Sequence, residues 1–409
     1  MRSPRSKERA RTLFLVLNGK KIGDEALREA IKRVRQEGHR IEIRVTYEAE
    51  DSDRYVLEAL RQKGVDTIIA AGGDGMVNQI AAALLAHDAP VTTELGIIPM
   101  GTANDFATGL GIPTDPWEAL QLALCTPAQP IDVGIVNEQV FLNVATGGFG
   151  TEMTTKTDEG MKNSLGGLAY AITGITNIGS ISSITAVMKA RVVSTAQKEE
   201  RAYSILDKKQ GAEDLEEGQK LLEDGSEVEV DGDLLVLAVG NARQAGGGRQ
   251  LCPQALVDDG HLDVSYVMNI PMEEIPDVLA RMGQTLDSGE MLDCFGSMRV
   301  KSLTVDCPDG LQVNRDGEPM RAKKLDFSLQ PHRLKVHMAN KELLVQPSQT
   351  LRHGKEVMDR KIKSAATVDR RQQQQTSISR LRTISTVLQQ RSWIGFHCVG
   401  ARSNCRIGS

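Results

Sequence analysis

Three short segments carry residue types suited to phosphate chemistry. The first is Ala71-Gly72-Gly73-Asp74-Gly75-Met76-Val77-Asn78-Gln79, placed between an apolar strand pattern and a helical pattern. Adjacent glycines let a backbone approach a ligand closely. A helix start offers unpaired N–H groups and a positive dipole end to an anion. Asp74 would repel a bare phosphate, so it acts through a bound metal or pins the loop by hydrogen bonds; an ordinary strand–turn–helix corner fits the same residues. The second segment, Gly96-Ile97-Ile98-Pro99-Met100-Gly101-Thr102-Ala103-Asn104-Asp105-Phe106, repeats this pattern on the next strand. Two such loops on adjacent parallel strands converge on one site. The third, Val313-Asn314-Arg315-Asp316-Gly317-Glu318-Pro319, reads as a hairpin turn or as two carboxylates, Asp316 and Glu318, on one face of an extended strand. Such a carboxylate can accept a proton from a hydroxyl.

The elements that must position these residues follow from periodicity. Strand patterns at Leu13–Leu17, Ile41–Val45, Thr67–Ala71 and Leu95–Ile98 alternate with helical patterns at Glu25–Glu37, Asp51–Gln62, Val77–His87 and from about Asn104. That order predicts a parallel sheet flanked by helices, with ligand loops along one edge. After Ile131 the patterns are strand-rich: Ile131–Val136, Val140–Ala145, Leu234–Val239, Leu262–Tyr266, Met298–Val305, Leu325–Leu329 and Arg333–Met338. A second, β-sandwich domain is expected, with the boundary near Pro127–Pro130. The expected organisation is a basic arm at 1–11, an α/β nucleotide-binding domain at 12–130, a β-sandwich at 131–346, and a basic tail at 347–409. An acidic surface insertion is expected at 195–233.

Composition limits the function classes. The 409 residues are 40% hydrophobic and 25% charged with a net charge of −5, which is globular. Aromatics are only 3%, which argues against a stacking platform for nucleic acid. Six scattered cysteines with no C-x-x-C pair exclude a disulfide scaffold or zinc ribbon and suit a reducing cytosol. The segment from Thr195 to Asp233 holds 13 Asp and Glu against 5 Lys and Arg, whereas Pro347 to Ser409 holds 12 Lys and Arg against 3 Asp and Glu. Basic ends can touch anionic lipid or nucleic acid, though solvated termini carry such charge too. Leu165–Met188 is broken by glycines and serines and reads as a buried helix plus a strand. A cytoplasmic protein with at most peripheral membrane contact is expected.

The order of these motifs resembles the diacylglycerol kinase catalytic-domain superfamily, and within it the bacterial YegS-like lipid kinases. The likeness extends to Leu17-Asn18-Gly19-Lys20, Arg44-Val45-Thr46, Asn143-Val144-Ala145-Thr146-Gly147-Gly148-Phe149-Gly150 and Asn241 through Pro253. It spans about Leu13 to Met338. The resemblance implies a two-domain lipid kinase/NAD kinase-like fold: an α/β nucleotide-binding domain plus a β-sandwich. It implies transfer of the γ-phosphate of ATP to a lipid hydroxyl, of phosphatidylglycerol or diacylglycerol type, at a membrane surface. Mg²⁺ is required, with Ca²⁺ as a substitute. By the same resemblance Thr46, Gly73, Asp74, Gly75, Met76, Val77, Asn78, Gln79 and Thr102 contact nucleotide. Glu318 is the proton acceptor, with Asp316 beside it. Leu256, Asp259 and His261 hold a structural magnesium, the first and last through backbone carbonyls. The oligomeric state is left open, with a dimer compatible.

Two departures stand out. The family's threonine after GGDG is Met76, and its glutamate after Asn78 is Gln79. They keep open a catalytically impaired nucleotide- or lipid-binding homologue. An NAD kinase-like or phosphofructokinase-like enzyme is a further alternative, disfavoured by the GTANDF and DGEP segments. His39, His87, His332 and His337 read as ordinary surface or core histidines, and Cys252 as a buried thiol. Gly246–Gly248 is either a flexible edge of the acceptor cleft or a plain loop.

Overall fold

The computed structural model describes residues 9–48, 50–148, 184–193, 225–268 and 295–345. The chain divides into two compact units, Met1–Leu344 and Val345–Ser409. The expected tail at 347–409 lies outside the described residues.

Strands β1 (Thr12–Asn18), β2 (Arg40–Thr46), β3 (Thr67–Gly72) and β4 (Glu94–Pro99) form a parallel sheet in the order β4-β3-β1-β2. All of β3 and nearly all of β4 are buried, as central strands covered on both faces must be. Helices α1 (Glu25–Gln36), α2 (Asp51–Arg61), α3 (Asp74–Ala86), α4 (Asp105–Gly109) and α5 (Pro116–Cys125) connect them. Asp24 caps α1 by accepting the Leu27 N–H at 2.8 Å, and Leu27, Ala30, Ile31 and Val34 face the core at helical spacing. Asp115 caps α5 in the same way, with Pro116 in its first turn.

The remaining strands are β5 (Gln129–Val136), β6 (Gln139–Phe141), β7 (Val144–Gly148), β8 (Ile184–Val192), β9 (Glu227–Gly240), β10 (Gln244–Ala245), β11 (Arg249–Gln250), β12 (Leu262–Met268), β13 (Phe295–Arg315) and β14 (Glu318–Val336). They pair antiparallel with one another and close around a second apolar core that includes Phe141, Leu237, Val300, Leu311 and Phe327. The two sheets are continuous. The end of β14 pairs in parallel with β4 at Lys335 and Val336, and β5 runs along the same strand.

Several strand expectations need correction. Leu325–Leu329 and Arg333–Met338 are not separate strands, because β14 carries through both with an irregularity between Gln330 and Leu334. Val140–Ala145 is interrupted at Leu142-Asn143, where backbone N–H groups turn toward a carboxylate instead of a strand. The acidic segment at 195–233 is not all insertion. From Glu227 it is β9, and Glu227 and Glu229 pair across to Arg191 at 3.6 Å and Lys189 at 3.3 Å on β8. Its alternating charges are one face of a strand. Residues 195–224, and 165–183 of the expected helix, lie outside the described residues. Arg11, assigned to a basic arm, is built into the base of the sheet, as detailed below. Among the described residues no helix is long and apolar enough to cross a membrane.

Candidate active site

The carboxyl ends of β1 to β4 fall on one edge of the parallel sheet, and the expected nucleotide residues gather there. Thr46 ends β2. Its hydroxyl donates to the Leu17 carbonyl at 3.5 Å and accepts the Gly19 N–H at 3.4 Å, tying β2 to the loop after β1. Gly73 is the N-cap of α3 in an extended conformation. Its loop lies directly against the next one: a Cβ on Gly101 would stand 2.5 Å from the Gly73 Cα. Met100 N–H donates to the Gly72 carbonyl at 2.8 Å. Asn104 adopts a left-handed conformation and locks the second loop, accepting from Gly101 N–H at 2.8 Å and donating to the Gly101 carbonyl at 3.0 Å. Thr102 is exposed at the loop tip.

Within the GGDG segment the side chains diverge. Asp74 accepts the Phe106 N–H at 3.1 Å, so it pins the two loops together. Burial holds its carboxyl above the usual range, and nearby Asp105 adds to the effect. Gly75 leaves α3 open toward Glu318, whose Oε1 lies 3.3 Å from where a Gly75 Cβ would be. Met76 is buried and folds back over Gly72. Val77 is also buried. Asn78 points into the β-sandwich, and Gln79 accepts from Ser52 on α2 at 3.2 Å.

Asp316 and Glu318 do not share one face of an extended strand. Arg315 pairs with Glu318, so Asp316-Gly317 is a two-residue hairpin turn, with φ of +49° and +99°. The backbone adopts the hairpin-turn reading. The Asp316 carboxylate accepts from the backbone N–H groups of Leu142 at 2.5 Å, Asn143 at 3.1 Å and Val144 at 3.3 Å, and from Asn78 Nδ2 at 3.0 Å. Burial nevertheless pushes its pKa up to about 6. Among the described residues no side-chain hydrogen bond engages Glu318. The two carboxylates therefore differ in kind: one accepts four N–H donors from the protein, while the other accepts none among the described residues.

Asp105, part of the second loop motif but given no role of its own there, lies beside the two loops. It is buried and accepts from Gly247 N–H at 2.9 Å and Gly248 N–H at 2.6 Å, and its backbone carbonyl accepts from Gln244 at 2.9 Å. Gly246, Gly247 and Gly248 all have positive φ, and the N–H groups of Gly247 and Gly248 converge on the Asp105 carboxylate. The triglycine tip is pinned beside the two phosphate-type loops. The signal lay in pairing GTAND with a distant Gly-Gly-Gly, which spacing alone does not reveal.

The expected magnesium residues lie in the loop before β12. Asp259 Oδ1 accepts the His261 N–H at 3.0 Å, while Oδ2 is buried with no hydrogen-bond partner and stands 3.7 Å from Arg299. A buried carboxylate oxygen that accepts no hydrogen bond is a hard-oxygen donor of the kind Mg²⁺ takes, and here it faces the Arg299 cation. Among the described residues no group of three or more His, Cys, Asp or Glu side chains is placed to hold a metal. This loop connects to the hairpin through polar contacts. Asp132 accepts from Gly260 N–H at 2.7 Å, and Asn241 donates to the carbonyls of Asp132 at 3.0 Å and Leu142 at 2.9 Å.

Comparison with known proteins agrees with this architecture. The diacylglycerol kinase catalytic domain profile matches residues 12–136, and the YegS C-terminal NAD kinase beta sandwich-like domain profile matches 182–338. A Pseudomonas aeruginosa (strain UCBPP-PA14) protein named "Probable lipid kinase YegS-like" is 39% identical over 337 residues, covering 82% of this chain and 97% of its own. The chain belongs to the YegS-like lipid kinase family. It is accordingly an enzyme, a kinase. A second YegS-like relative, from Stenotrophomonas maltophilia (strain K279a), is 39% identical over 79% of this chain and 95% of its own. A solved structure described as a diacylglycerol kinase from Bacillus anthracis str. Sterne superposes with a TM-score of 0.57 over 82% of this chain and 99% of that one, at 22% identity, which establishes the shared fold.

The other singled-out residues of this YegS-like kinase are structural. His337 is buried between Glu94 and the Thr126 carbonyl, His87 meets Asp53 at 2.9 Å, and His39 accepts the Arg11 N–H. His332 lies 3.6 Å from the Asp132 carboxylate. Cys252 is buried, and burial pushes its thiol pKa up, away from nucleophilic use.

Proposed function

We propose that this enzyme transfers the γ-phosphate of ATP to the hydroxyl of a lipid of phosphatidylglycerol or diacylglycerol type, with Glu318 as the proton acceptor. The observation that carries the reading is the open Glu318 carboxylate standing over Gly75 at the start of α3. A proton acceptor is thereby next to a helix N-terminus suited to phosphate. The names of the relatives, YegS-like lipid kinase and diacylglycerol kinase, support a lipid acceptor.

In this reading the N–H groups at Gly73 to Met76, with Thr46 and Thr102, cradle the nucleotide, the Val77 N–H being spent on the Gly73 carbonyl at 3.1 Å. Glu318 orients the acceptor hydroxyl and takes its proton as the oxygen attacks the γ-phosphorus in line. The bond from that phosphorus to the β–γ bridging oxygen breaks, and ADP leaves. Positioning and charge neutralisation supply most of the rate. Asp74 keeps the two loops in contact, and Asp105 holds the triglycine wall. Leu256, Asp259 and His261 would hold a magnesium ion that braces the loop leading, through Asp132 and Asn241, to Leu142. Magnesium accompanying the nucleotide supplies charge neutralisation on the phosphates when bound.

The test is labelled ATP with Mg²⁺ and a panel of phosphatidylglycerol, diacylglycerol, sphingoid base and NAD, resolved by chromatography. Label in a lipid product, lost in Glu318→Gln, is the expected result. Label in NAD, or an undiminished Glu318→Gln enzyme, would refute the assignment.

A further inference from the structure

We propose that Asn78 is a positioning residue for phosphoryl transfer and not a nucleotide ligand: it ties the Asp316-Gly317 turn, and with it Glu318, to α3. The inference rests on the role of Glu318 proposed above. Asn78 lies one helical turn beyond Asp74 and is only 4% exposed. Both of its amide protons are spent on the β-sandwich, one on the Val140 carbonyl at 3.1 Å and one on Asp316 Oδ2 at 3.0 Å. No amide proton is left for a phosphate.

The contacts close into a ring. Arg315 Nη1 donates to the same Val140 carbonyl at 3.0 Å, and Arg315 and Asp316 are consecutive in the hairpin. Asn78 therefore touches both ends of the Arg315–Asp316 pair, directly or through one shared oxygen. Three further N–H groups of residues 142–144 hold Asp316 from the other side. Glu318 has no side-chain hydrogen bond of its own among the described residues. Its place over Gly75 is set by the backbone of this turn. The Asp-Gly turn holds its own shape through its ladder and the Gly317 N–H donated to Asn314 Oδ1 at 2.7 Å, so the outside anchors set where it sits against α3. Loss of the Asn78 anchor leaves a buried carboxylate one donor short and lets Glu318 shift. A shift of about 1 Å at a reacting group can cost about a hundredfold in rate.

The experiment uses the full-length chain. Asn78→Ala and Asp316→Asn are compared singly and together, with ATP dissociation constants from calorimetry and kcat on lipid micelles. The expected result is an ATP affinity within about threefold of wild type and kcat reduced about a hundredfold in either single variant. The double variant should lose little more, because the two residues act as one unit. A tenfold or greater loss of ATP affinity in Asn78→Ala with kcat retained would overturn the proposal, as would additive losses in the double variant. Should Asn78→Ala melt before assay, Asp316→Asn reads the same bond from its other end by the same criteria. Glu318→Gln separates the two levels. If it keeps full kcat, the proton-acceptor reading fails. If it is inactive while Asn78→Ala keeps kcat, only the positioning role fails.

Discussion

Gly73 and Gly101 touch backbone to backbone: a Cβ on Gly73 would lie 3.0 Å from the Gly101 Cα, and one on Gly101 only 2.5 Å from the Gly73 Cα. The two glycine loops are therefore one surface. Gly101→Ala must push them apart, because the clashing atom is backbone and cannot rotate away. ATP affinity should fall at least tenfold, with the melting temperature lowered by several degrees. Calorimetric titration with ATP checks the first effect and thermal unfolding the second. Wild-type affinity in Gly101→Ala would show that the loops do not share a ligand.

Asp316, with a pKa pushed up to about 6 by burial, should leave a mark on the pH profile. Its ionised form accepts four N–H donors, and protonation turns one oxygen into a donor facing them. Activity should fall as pH drops through about 6. The sign for stability is opposite. The folded state holds the proton more tightly than the unfolded chain, whose carboxyl titrates near ~3.9. This group therefore stabilises the fold at low pH, and that contribution is lost as pH rises from about 4 to 6. Asp316→Asn should flatten both dependences. Profiles of kcat between about pH 5 and 8 and of urea unfolding between about pH 4 and 8 test this, and an unchanged acid limb in the variant would assign it to another group.

The parallel sheet was legible because buried strands need unbroken apolar runs, and those at 13–17, 67–71 and 95–98 are flanked by helical periods. The β-sandwich was legible in kind but not in strand length. Gly310 and His332 adopt positive φ inside β13 and β14, where the pairing register shifts, so the alternation breaks within strands that continue on either side. The roles of Asp316 and Asp105 were hidden for a different reason. Their donors come from residues 142–144 and 247–248, more than a hundred positions away, and backbone N–H groups leave no trace in residue type.

Arg11 offers a test of stability apart from activity. Its guanidinium donates to the Ala123 carbonyl at 3.0 Å and to Thr67 at 2.8 Å, and it pairs with Glu94, which also meets buried His337. These contacts join β3, β4 and α5 at the edge opposite the ligand loops. Arg11→Ala leaves Glu94 without its cation and should cost roughly 1–3 kcal/mol. Urea unfolding should show that loss with kcat/KM unchanged. A large change in kcat would connect the two edges of the sheet.

Met76 replaces the hydroxyl residue of the family pattern, and its side chain lies in the core. Only 6% of it is exposed, and its Sδ would stand 2.5 Å from a Cβ on Gly72. A side chain so placed neither contacts a phosphate nor blocks one, while the N–H groups at the start of α3 are supplied by backbone whatever residue 76 is. Met76→Thr should therefore change kcat and ATP affinity by less than about threefold, under 1 kcal/mol of transition-state stabilisation. It should cost about 1–2 kcal/mol of stability through lost apolar burial. Steady-state kinetics beside urea unfolding separate the two effects. A tenfold gain in kcat/KM would mean that the missing hydroxyl limits the natural enzyme, and that the backbone cradle alone does not hold the phosphates in register.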